Sequence, residues 1–153
     1  MENIKGYNQD ILKVNINSIK ELRNVLCEYF GKDSKQSPIS KTETSWPLYD
    51  DCLGRCKDGI YAYNKFYIRW YSPDGTTLIK DLRVATHGDY FIMQHRVKDY
   101  KGHMKCCMVL GHYIHKLMKG DNLYDWLMKV KEATENKKLG KEINTMILFG
   151  FMK

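Results

Sequence analysis

The chain has 153 residues, a formal net charge of +7 and 43% hydrophobic residues. That length suits one compact domain over 1–153, and that composition excludes a disordered chain. Its longest apolar stretches, Cys106 to Leu110 and Met146 to Phe149, are far too short to span a bilayer.

The first residues carry no apolar signal core. The five cysteines are odd in number and two of them are adjacent, which suits reduced thiols better than disulfides. The expectation is a cytoplasmic protein with no membrane partner. Richness in Lys, Ile, Asn and Tyr is what AT-rich coding produces, and with the small size it fits a phage or bacterial accessory gene.

In chain order, Asp10 to Ile16 alternates, with Leu12, Val14 and Ile16 on one side, and predicts a short strand. Ser18 with Glu21 three residues later forms a capping box. Ile19, Leu22, Val25, Leu26 and Tyr29 follow at helical spacing, and Gly31 supplies a left-handed stop, so a helix is predicted over 18–30. From Lys32 to Lys57, Ser, Lys, Thr, Pro38 and Pro47 break any period, and a long connection is expected.

Gly59 to Tyr71 then alternates cleanly. Side chains of a strand point to opposite sides in turn. One side receives Ile60, Ala62, Asn64, Phe66, Ile68 and Trp70. The other receives Tyr61, Tyr63, Lys65, Tyr67, Arg69 and Tyr71. Ser72-Pro73-Asp74-Gly75 predicts a turn, Thr76 to Thr86 a return strand, Gly88-Asp89 another turn, and Tyr90 to Val97 a third strand.

Residues 103–118 fit two patterns. As a helix they turn Cys107, Leu110, Ile114, Leu117 and Met118 inward and gather Lys105, His112, Lys116 and Lys119 outside. As a strand, 105–113 would pair with 90–97. The helix is preferred. Asp121 or Asn122 caps a further helix that ends at Gly140, and the apolar tail 141–153 is expected to be buried. The fold class that follows is α+β: an antiparallel sheet of three or more strands centred on 59–97, packed by the N-terminal helix and C-terminal helices.

Charge is unevenly spread. Residues 1–95 hold 13 Lys/Arg against 12 Asp/Glu, and residues 96–153 hold 12 against 6. A positive half favours an anionic partner. The row Tyr61, Tyr63, Lys65, Tyr67, Arg69 and Tyr71 interleaves rings that stack on bases with cations that neutralise phosphates. Arg96 and the helical stripe Lys105, His112, Lys116 and Lys119 would extend it along a polyanion. The competing explanation is that tyrosine favours strands and that lysines cover an ordinary solvated face.

No metal or cofactor is expected. His103-x-x-Cys106 and His112-x-x-His115 have ligand-pair spacing, yet the five residues between them are apolar apart from Cys107 and Gly111, as a core would be. No thiolate signature surrounds Cys106 or Cys107, and no glycine-rich phosphate loop or paired-histidine metal motif occurs. The leading expectation is a non-enzymatic binder of nucleic acid or a nucleotide-containing anion. Two alternatives stand beside it: a phage or mobile-element inhibitor that occludes a host protein or nucleoprotein with its tyrosines, and a small phosphodiesterase or nuclease using His87 and His95.

Overall fold

A computed structural model describes residues 9–49, 56–98, 101–102, 104–110 and 117–135. The first helix, α1 (Ile19–Phe30), begins where its capping box begins. Ser18 Oγ accepts the Glu21 amide at 3.2 Å, while Glu21 Oε1 accepts the Asn17 amide at 2.6 Å. Gly31 adopts φ 67°, and the Lys32 amide donates back to the Cys27 carbonyl at 2.7 Å. Only a left-handed residue lets the chain turn there, so glycine ends the helix.

Five strands follow in sequence order across one antiparallel sheet: β1 (Ser40–Tyr49), β2 (Cys56–Tyr71), β3 (Leu78–His87), β4 (Tyr90–Lys98) and β5 (Met104–Leu110). The two-residue β6 (Leu117–Met118) continues along β4 after β5, pairing with Tyr90 and Phe91. A C-terminal helix, α2 (Leu123–Glu135), completes an α+β fold. Asn122 Oδ1 accepts the Asp125 amide at 2.8 Å, as a cap should.

Three expectations are corrected. The segment expected as a strand at 10–16 is instead a 3-10 turn over Gln9–Lys13. Its apolar residues pack all the same, with Leu12 and Ile16 buried. The long connection at 32–57 contains strand β1. That strand is polar and lies at the end of the strand order, and Pro47 falls within its register shift between Trp46 and Leu48. An edge bulge tolerates a residue with no amide hydrogen.

Finally, Met104–Leu110 is strand β5, paired with β4, not a helix. An apolar run of this length has no period that separates the two, and hairpin pairing decides for the strand. The helix stop at Gly140 and the tail 141–153 lie outside the described residues.

The helices share one face of the sheet. Phe66, Ile68, Leu82, Val84, Phe91, Met93 and Leu117 from the strands meet Leu22, Leu26 and Tyr29 of α1 and Leu123, Trp126 and Leu127 of α2 in one buried cluster. Each such side chain contributes about 1.5–3 kcal/mol by leaving water. The opposite face is closed as well: Asp81, Ala85, Ile92 and Gln94 are fully buried. Its cause is curvature. β1 and β5, at opposite ends of the strand order, approach to within 8 Å between Cα atoms. With the sheet curled in this way, the helices lie outside and this second face turns inward.

Candidate functional site

The register of β2, β3 and β4 arranges the inward face in levels. Arg69, Asp81 and Arg96 lie side by side at one level. Tyr67, Arg83 and Gln94 form the next, and Lys65, Ala85 and Ile92 the one after. The face therefore grades from apolar in its depth to strongly charged toward the C-terminal end of β2. Three arginines stand there around one carboxylate.

That carboxylate is held by Arg96. Arg96 Nε donates to Asp81 Oδ1 at 2.8 Å, and Arg96 Nη2 donates to Oδ2. The bidentate fork fits a carboxylate, and burial of Asp81 requires such a partner. Arg96, expected to serve a ligand, thus spends its guanidinium on Asp81. Arg69 and Arg83 instead bracket Tyr67, with guanidinium carbons 4.9 and 5.9 Å from its ring centre.

The tyrosine row is consequently not one continuous platform. Tyr63 is 44% exposed and Tyr71 is 49% exposed, while Lys65 and Tyr67 between them are half-buried and Arg69 is exposed. Tyr63, Tyr67 and Tyr71 stand on the face opposite the one that α1 packs on. Tyr63 and Tyr71 are eight residues apart, roughly 26 Å along a strand. Tyr61 is in β2 opposite Ser45.

The wall beside Tyr71 is open. β1 pairs with β2 only as far as Lys65, so among the described residues Phe66 to Tyr71 have a strand neighbour on one side alone. A cavity of about 370 Å³ occupies that edge, with Arg69 and Tyr71 on one side and Lys32, Asp33, Gln36 and Ser37 on the other, above Ile68. Lys32 Nζ also stands 5.0 Å from the centre of the Trp70 ring, and Lys80 Nζ stands 4.8 Å from it. Burial pulls both lysines below the usual ammonium range, and the Lys32 charge lowers Lys80 further.

The other expected residues are scattered. Lys105 is in β5 opposite Val97, and Lys119 is exposed in the turn after β6. His112 and Lys116 lie outside the described residues. With Met104–Leu110 in a strand, the helical stripe that was to unite these four is not formed.

His87 and His95 are also kept apart. His87 pairs with Tyr90 on the inward face, with ring centres 5.1 Å apart, whereas His95 pairs with Leu82 on the helix-packed face. Burial, then the charge of Lys80, pushes His95 down to about 4, partly offset by Asp81. Among the described residues, no three His, Cys, Asp or Glu gather where they could hold a metal, and no helix is long and apolar enough to cross a membrane.

Sequence reasoning missed Lys32, Gln36, Ser37, Asp81 and Arg83. The last two were within reach: the Ser72–Gly75 turn sets the hairpin register, and the register sets Arg83 opposite Tyr67 and Asp81 opposite Arg69. No family model, curated protein or solved structure matches the chain. Geometry and chemistry alone therefore carry the functional reading.

Proposed function

We propose that this protein is a non-enzymatic binder of nucleic acid or of a nucleotide-containing anion, and that its contact surface is the open end of β2. One observation carries this reading. Exposed Tyr71 and Arg69 adjoin a Tyr67 ring flanked by Arg69 and Arg83, where β2 lacks a second strand neighbour among the described residues. Phosphates meet guanidinium groups there, and a base meets a free phenol ring. Tyr63, exposed at the other end of the row, offers a second stacking position.

Fluorescence polarisation with labelled single- and double-stranded oligonucleotides over a salt series tests it. Affinity that falls steeply as salt rises supports the reading. Absence of binding at low salt, with retention of a host protein from nuclease-treated lysate through Tyr63 and Tyr71, transfers the surface to protein occlusion.

A further inference from the structure

The cavity beside Tyr71 differs in kind from the row it adjoins. A row along a strand suits a continuous chain, whereas a recess of about 370 Å³ lies within the size range of small-molecule sites, about 300–1,000 Å³. Its lining brings two cations to the edge of β2, Lys32 from the helix-packed side and Arg69 from the inward side, and adds the Gln36 amide and the buried Ser37 hydroxyl, which also hydrogen-bonds the Cys27 thiol. Asp33 contributes the lining's one carboxylate, and its Oδ1 already accepts the Lys35 amide at 2.9 Å.

Two cations against one carboxylate leave the lining net positive, and it attracts a phosphate monoester, which carries close to two negative charges, more strongly than an internal diester, which carries one. Tyr71, exposed at the rim, supplies a ring on which the attached base can stack. Lys32 is partly withdrawn from water against Trp70, which strengthens its attraction for an anion.

We infer that this cavity is a phosphate-end pocket: it takes a terminal phosphomonoester, with Lys32 and Arg69 on the phosphate and Tyr71 against the base. The inference rests on the nucleotide-binding reading above and sharpens it, because it distinguishes a chain end from the middle of a chain. A phosphorylated strand end and a free mononucleotide present the same chemistry.

Calorimetric titration with four probes separates them: one decamer sequence with and without a 5′-phosphate, AMP, and adenosine. The pocket predicts that the phosphate improves decamer affinity about tenfold, the equivalent of one charge-assisted contact. Lys32→Gln, and independently Gln36→Ala, should reduce that advantage by more than they reduce affinity for the unphosphorylated decamer. AMP binding well above adenosine, without an advantage for the phosphorylated decamer, identifies the free nucleotide as the occupant.

Equal binding of phosphorylated and unphosphorylated forms in both pairs overturns the pocket and leaves the row intact. A phosphate preference that survives both substitutions overturns its location. Binding of AMP with no binding of the unphosphorylated decamer at any salt would retain the pocket and discard the row.

Discussion

Arg96 reaches across from β4 to grip both oxygens of Asp81 on β3, in the part of the sheet where Asp81 is fully buried. The pair converts one arginine of a three-arginine cluster into structure. It also explains how a carboxylate can sit inside a curled sheet. Removing one partner should therefore be costly. Arg96→Ala is expected to lower unfolding free energy by about 3–5 kcal/mol, since it takes the fork from a fully buried carboxylate, and Asp81→Ala by less, since the Arg96 side chain is partly exposed. The double variant Asp81→Leu/Arg96→Met should be less destabilised than either single one. Urea midpoints of the three proteins measure this.

The exposed tyrosines predict the opposite pattern. Tyr63→Ala and Tyr71→Ala should leave stability within about 0.5 kcal/mol of the parent, because both rings face solvent. Oligonucleotide affinity should fall by ~1–3 kcal/mol for each ring that stacks a base. Paired thermal melts and polarisation titrations separate the two effects. Loss of stability without loss of affinity would return the rings to plain packing.

Arg69 is the exposed cation of the site and should act through phosphate. Arg69→Ala is expected to reduce the slope of log affinity against log salt by about 1, largely independent of base sequence. Arg96→Ala should not change that slope, provided the protein is assayed where it remains folded, because its guanidinium is occupied by Asp81.

His95 predicts a pH dependence. The folded protein holds it at about 4, against an ordinary 6.5, because burial and nearby Lys80 disfavour the imidazolium. Between those values the unfolded chain takes up a proton that the folded chain refuses. Stability should thus fall as pH drops from about 6.5 to about 4 and level off below, by about 3 kcal/mol at ~1.4 kcal/mol per unit. His95→Leu should flatten this part of a urea-midpoint profile. An unchanged slope would show that other groups carry the acid sensitivity.

Where local chemistry dictates structure, the sequence was legible. Ser18, Glu21 and Gly31 bound α1, and Ser72-Pro73-Asp74-Gly75 with Gly88-Asp89 set two hairpins. Alternation in β2 separated Phe66, Ile68 and Trp70 from Tyr67, Arg69 and Tyr71 correctly. Elements that depend on neighbours were not legible. β1 carries mostly polar residues at an edge, so nothing in its own pattern marks it as a strand. β5 is an apolar run that only pairing with β4 resolves. The tyrosine row was visible, but its half-buried middle follows from curling of the whole sheet, which no single segment encodes. Lys32 reaches the site only because α1 ends at Gly31 beside β2.

The central claim is that an anionic ligand meets this protein along the inward row of β2 and its open edge. Backbone amide chemical shifts, recorded while a short single-stranded oligonucleotide is titrated in, test it most directly. The largest changes should fall on Tyr63, Tyr67, Arg69 and Tyr71 and on 32–37, with α2 unaffected. Changes concentrated on α2 or around Lys119, with β2 silent, would contradict it.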